Sequence, residues 1–140
     1  MWSHYAYKHE GICIEYDFKD FIKNKPNNII LKRVNYVEEI INDRNSILTS
    51  KDNSQDRLID ILSIKSKEWE YENEYRIIKY CKDNNSNTIK LPIKNIYFGT
   101  KTSQYDKDLL IKILSDKNIE FYQANFDNNI INKIIFTKIK

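Results

Sequence analysis

Apolar residues recur at helical spacing in only two longer stretches of this chain, and most of the remainder alternates as short strands. That imbalance constrains the fold more than any composition figure. Leu58, Ile61 and Leu62, with charges between them, predict a helix over Gln55–Lys67 that runs on towards Trp69. Ser103 followed by Asp106 forms a capping box, and Leu109, Leu110, Ile113 and Leu114 supply the apolar side of the helix behind it. Strands are expected over Ile12–Tyr16, Ile29–Tyr36, Glu74–Cys81, Thr88–Leu91, Ile96–Gly99, Ile119–Phe126 and Ile130–Ile139. Pro92 places the Thr88–Leu91 segment at an edge or ends it. Asn42–Ser54 reads as a long polar loop and Asp83–Asn87 as a turn. The expected class is α+β, with a mainly antiparallel sheet, split or continuous, and two longer helices.

The length of 140 residues suits one domain with one core. No apolar run of about 18 residues is present, so no membrane-spanning helix is expected. The N-terminus lacks the basic-then-apolar pattern of a secretory signal. Cys13 and Cys81 have no metal-ligand spacing and are expected to be buried, reduced thiols in a cytoplasmic protein. A net charge of +3, spread along the chain, gives no nucleic-acid signature. Gly11 and Gly99 are the only glycines, so each is expected to serve a positive φ or a close backbone approach.

Chemistry concentrates in Lys67–Arg76, where four glutamates, three aromatic residues and one of four arginines fall within ten positions. On an extended chain Glu72, Glu74 and Arg76 share one face. Two close carboxylates suit general-base work or stabilisation of a cationic transition state. The same spacing equally suits an ion pair of Glu72 or Glu74 with Arg76 or a lysine, fixing a helix-to-strand junction. His4 and His9, the only histidines, lie in one short segment that Ser3 caps and Gly11 ends. On a helix His4 would share a face with Lys8, and Tyr5 with His9. Tyr5 has the shape to stack on a flat ligand, or to join the core. No zinc-type spacing, Gly-rich phosphate loop or dinucleotide fingerprint is present.

Trp2-Ser3-His4-Tyr5-Ala6, His9, Gly11 and Ile12–Tyr16 together resemble the family called domain of unknown function (DUF) 2971. The resemblance continues through Trp69, the Glu72-Asn73-Glu74 triplet and Arg76, and into Ile93–Gly99. Family members carry a further N-terminal segment, so the chain is expected to be an N-terminally truncated version of the family domain. The family layout is similar to ADP-ribosyltransferase-type folds. That similarity implies Glu74 as the catalytic carboxylate acting on NAD as substrate, with Glu72 orienting the acceptor. It implies a nucleotide site lined by His4 and Tyr5, with His9 and Arg76 as further ligand-binding candidates. No certain cofactor and no metal are implied. The other expectation is a non-catalytic module that binds a nucleotide, nucleic acid or protein partner. Missing strands would leave an exposed sheet edge, through which a homo-oligomer is expected.

Overall fold

The computed structural model describes residues 2–39, 54–81, 88–131 and 133–140. Its internal contacts divide the chain into two compact units, Met1–Asn24 with Lys90–Lys140, and Lys25–Ile89.

The first unit is built on a four-stranded sheet. In chain order it comprises α1 (Trp2–Tyr5), β1 (Ile12–Tyr16), α2 (Lys19–Asn24), β6 (Ile93–Phe98), α4 (Gln104–Ile113), β7 (Glu120–Phe126) and β8 (Ile134–Lys138). The sheet order is β1-β6-β7-β8. Both outer pairings are antiparallel, but β6 and β7 run parallel. The expectation of a mainly antiparallel sheet is corrected to a mixed one. A helix joins β6 to β7, and a crossover through a helix returns the chain in the same direction, whereas a tight hairpin reverses it.

The core of this unit is Ile96, Phe98 and Phe121, with Ile12, Leu110, Ile111 and Leu114 packed against them. Phe98 and Phe121 stack across the parallel pair with centroids 6.0 Å apart. Ser103 caps α4 as expected, accepting a hydrogen bond from the Asp106 N–H at 3.1 Å. Only part of the predicted apolar set on α4 faces inward, because Leu109 and Ile113 are exposed.

The second unit contains β2 (Ile29–Arg33), β3 (Asn35–Val37), α3 (Ser54–Leu62), β4 (Ile64–Ser66), a 3-10 helix (Lys67–Glu72) and β5 (Tyr75–Lys79). β2 pairs antiparallel with β5, and β3 pairs parallel with β4. Ile29, Val34, Ile59 and Ile64 are its buried apolar residues. The strand expected over Ile29–Tyr36 breaks at Val34, whose N–H turns to the Glu74 carbonyl at 3.0 Å. The helix expected to reach Lys67 ends at Leu62. The Ser63 N–H bonds back to Asp60 and its Oγ donates to the Ile59 carbonyl at 2.7 Å, closing the last turn, and β-branched Ile64 then opens a strand. Leu58 and Leu62 are exposed, and Ile59 carries the burial instead.

Thr88–Leu91 forms no strand, and pairing starts at Ile93, beyond Pro92. The expected final strand begins at Ile134, after the chain closes a turn through the Asp127 N–H to Lys133 carbonyl bond at 2.8 Å. The loop expected over Asn42–Ser54 lies outside the described residues up to Ser54, where α3 begins, and the Asp83–Asn87 turn lies wholly outside them.

The glycines act by close approach, since neither has a positive φ. The Gly99 N–H donates to the Gly11 carbonyl at 3.0 Å. A Cβ built at Gly99 would collide with the His9 carbonyl, and one at Gly11 would meet the Ala6 backbone at 3.1 Å. Left-handed geometry falls on Tyr7, Lys8 and His9 instead, with φ of 45°, 54° and 75°. Such values are costly for residues with a Cβ. The segment is pinned at both ends, by Gly11 N–H to Ala6 carbonyl at 2.8 Å and by Lys101 N–H to His9 carbonyl at 3.0 Å.

Candidate functional site

In the second unit the Glu-x-Glu triplet spans the step from the 3-10 helix to β5. Asn73, the middle residue, is left-handed with φ 48°, and its N–H bonds the Glu70 carbonyl to close the helix. Asparagine tolerates this geometry better than most residues that carry a Cβ. The turn throws the side chains of Glu72 and Glu74 towards Lys65 on β4. Lys65 Nζ lies 2.5 Å from Glu72 Oε2 and 3.1 Å from Glu74 Oε2. Arg76, on β5, brings its Nε to 2.7 Å from Glu74 Oε1 and its Nη2 to 3.3 Å from Glu74 Oε2. Its Nη1 donates to the Leu62 carbonyl.

The extended chain that would put Glu72, Glu74 and Arg76 on one face does not form, because Glu72 ends the 3-10 helix and Asn73 is left-handed. Arg76 reaches Glu74, and Lys65 is the bridge between the two carboxylates. Like-charge repulsion is relieved by that shared ammonium and by the guanidinium. The Arg76 hydrogen bond, with Lys65 adding to it, holds the Glu74 carboxyl below its ordinary range, and Glu74 in turn raises the Arg76 guanidinium. The backbone of Glu74 is also fixed. Its N–H donates to the Tyr36 hydroxyl at 2.8 Å and its carbonyl accepts from Val34. Lys65 further lies 5.1 Å from the Trp69 ring centroid, a cation–π contact that ties the aromatic part of the stretch to the same ammonium.

Beside this network is a cleft of about 400 Å³, lined by Arg33, Val34, Asn35, Tyr36 and Glu70. Asn73 joins cleft and network, because its Oδ1 accepts from Arg33 Nη2 at 3.1 Å. Spacing along the chain did not single out Lys65, Tyr36 or Arg33. Tyr36 and Arg33 come from strands some 40 residues earlier, and Lys65 reaches across the 3-10 helix.

His4, Tyr5 and His9 belong to the first unit. His4 and Tyr5 lie on the short helix α1 and are exposed. The expected pairings of His4 with Lys8 and Tyr5 with His9 do not form one helical face, because α1 ends at Tyr5 and the chain turns left-handed at Tyr7. His9 stacks instead on Trp2, with centroids 6.3 Å apart and rings 8° from parallel, and packs on Phe126 at 5.7 Å. Its Nδ1 is buried and makes no hydrogen bond among the described residues.

The same unit holds a polar cluster that no motif signalled. Glu15 Oε2 accepts from the Tyr97 hydroxyl at 2.5 Å and from Asn95 Nδ2 at 2.7 Å, and Glu15 Oε1 lies 2.7 Å from Lys94 Nζ. Lys94, then Tyr97 and Asn95, pull the Glu15 carboxyl down to about 2. Tyr97 stacks on Tyr122 at 5.1 Å, and the Tyr122 hydroxyl, donating to Glu120 at 2.6 Å, is pushed up to about 12. The one available clue was Glu15 itself, a charged residue inside an apolar strand.

Cys13 and Cys81 are free thiols, but they are not both buried as expected: Cys81 is exposed and Cys13 half-buried, and that partial burial raises the Cys13 thiol. Among the described residues no group of three His, Cys, Asp or Glu is placed to hold a metal ion. No described helix is long and apolar enough to cross a membrane.

Comparison with known families finds a match to the family described as "Protein of unknown function (DUF2971)" over residues 1–77. The match takes in the Trp2–Gly11 segment and the whole Glu72–Arg76 site, and stops short of Ile93–Gly99. No curated protein and no solved structure matches the chain.

Proposed function

The chain belongs to the DUF2971 family, and on that premise we propose that it is an NAD-dependent ADP-ribosyltransferase-like domain with Glu74 as the catalytic carboxylate. The observation that carries this reading is the state of Glu74. It stands one residue before a strand, and Arg76 and Lys65 hold it in the ionised form. An ionised, fixed carboxylate is what a ribosyl cation requires as the C1′–nicotinamide bond breaks. Nicotinamide leaves with the bonding electron pair, an acceptor nucleophile then forms the new bond to C1′, and the proton that it loses passes to solvent or to Glu72. In this reading Glu72 orients the acceptor, while Arg76 positions Glu74. His4, Tyr5 and His9 are ligand-binding candidates in the first unit.

The test is nicotinamide release from NAD by the purified chain, compared with Glu74→Gln and Glu72→Gln. Loss of release in Glu74→Gln, with a folded protein by circular dichroism, supports the reading. Undiminished turnover in that variant ends it.

A second reading is a non-catalytic module that binds a nucleotide or another partner. One observation favours it: both Glu74 oxygens already accept hydrogen bonds, so the carboxylate is substantially neutralised. Calorimetric binding of NAD or ADP-ribose with no turnover at any enzyme concentration would select this alternative.

A further inference from the structure

The strongest unassigned feature is the cleft between β3 and the 3-10 helix. It is lined by Arg33, Val34, Asn35, Tyr36 and Glu70, so a guanidinium, a carboxylate, an amide and a phenol belong to its lining residues. Two opposite charges that share a small cleft would ordinarily pair. Among the described residues no ion pair joins Arg33 to Glu70, and Arg33 instead donates to Asn73. Asn73 is itself held by the Glu70 carbonyl. The exposed guanidinium is thus steadied by a neutral acceptor and makes no ion pair among the described residues. The Tyr36 hydroxyl accepts from the Glu74 N–H, so its own proton remains for another acceptor.

We infer that this cleft binds a sugar phosphate, with the phosphate on Arg33 and the sugar hydroxyls on Glu70. Arginine's planar fork matches phosphate oxygens in a bidentate fashion. An ionised carboxylate only accepts hydrogen bonds, so it complements hydroxyl donors and repels a second phosphate. The pairing of one cation with one acceptor therefore selects a ligand that carries both an anion and hydroxyls, and disfavours inorganic phosphate alone. Adenosine monophosphate, ribose 5-phosphate and the ADP-ribose part of NAD all have this chemistry. The assignment of NAD to the cleft rests on the function proposed above, whereas the sugar-phosphate chemistry rests on the cleft residues. Asn73 becomes a positioning residue, so the triplet's middle residue serves the ligand while its glutamates serve the network.

The experiment is calorimetric titration of the full chain with ribose 5-phosphate, adenosine monophosphate, adenosine and inorganic phosphate. The variants are Arg33→Gln and Glu70→Gln, both at exposed side chains, with folding checked by circular dichroism. The expected result is binding of both sugar phosphates, at least tenfold weaker binding of adenosine and of inorganic phosphate, and at least a tenfold loss in each variant. Arg33→Lys should recover part of the loss through charge, which a merely misfolded variant would not do. Equal binding by wild type and both variants, or no binding of any sugar phosphate, overturns the inference. NAD turnover reports separately: turnover with a KM unchanged in Arg33→Gln removes the cleft assignment and leaves the catalytic reading, while sugar-phosphate binding without turnover does the reverse.

Discussion

The ammonium of Lys65 lies 2.5 Å from the carboxylate of Glu72, seven positions further along the chain. Glu72's side chain is 8% exposed and Lys65's 19%, so neither charge is held mainly by water. Lys65→Met would leave Glu72 poorly solvated beside Glu74. Removing one partner of such a pair should destabilise the fold by about 3 kcal/mol, because Glu72 loses its nearest counter-charge where little water reaches it. Urea unfolding measures it. The double variant Lys65→Met with Glu72→Gln should recover much of the loss, and failure to recover would show that the pair is not coupled.

The Glu15 carboxyl is lowered from an ordinary 4.5 to about 2, first by Lys94 and then by Tyr97 and Asn95. A depressed carboxyl stabilises the fold above its unfolded pKa, and that contribution disappears as the pH falls through the folded value. Stability from Glu15 is therefore expected to decline between about pH 4.5 and 2. Glu15→Gln should flatten acid unfolding in that window and leave the slope above pH 5 nearly unchanged. An identical acid profile in the variant would count against the cluster.

Gly99→Ala places a methyl group on the His9 carbonyl. Backbone cannot rotate away as a side chain can, so the cost should reach about 2–3 kcal/mol, the range of an overpacked core. Because His9 carries the Trp2 stack, the same substitution should change tryptophan fluorescence before global unfolding. Gly11→Ala, with its nearest contact at 3.1 Å, should cost less.

Lys8 sits in the middle of the left-handed run, with φ 54° and an exposed side chain. Glycine adopts that geometry freely but loses more entropy on folding. Relief of strain less this entropy should leave Lys8→Gly more stable by about 0.5–1 kcal/mol. Thermal unfolding tests the sign, and a lower melting temperature would show that Lys8 makes a compensating contact.

Tyr122 donates its hydroxyl to Glu120, which holds the phenol up at about 12. Ultraviolet titration should find one tyrosine ionising last, near that pH, and Glu120→Gln should bring it back towards the ordinary range. The displacement comes first from that hydrogen bond and then from desolvation, so raised salt should leave most of it in place.

Local pattern was enough to place β1, the capped helix α4 and β7, because each reports its own periodicity and its own terminating residues. It also brought Glu72, Glu74 and Arg76 into one candidate site, since they are near neighbours in any conformation. It overextended the helix before Lys65, where Ser63 bonds back on the last turn and a three-residue strand pairs with β3. Alternation states which face of a strand is buried. It does not state which strand lies beside it or in which direction. The parallel β6–β7 pair, the bond between Glu15 and Tyr97 across 82 residues and the approach of Gly99 to His9 all follow from that pairing. The Lys65 bridge, which turns two repelling carboxylates into one neutralised network, follows instead from the fold of the 3-10 helix between Lys65 and Glu72. Sequence alone determined that charge and aromatic surface would concentrate at Lys67–Arg76. Tertiary structure decided the geometry in which they meet Lys65 and Arg76 and which distant groups, Tyr36 and Arg33, close around them, because those two arrive on other strands and not through spacing along the chain.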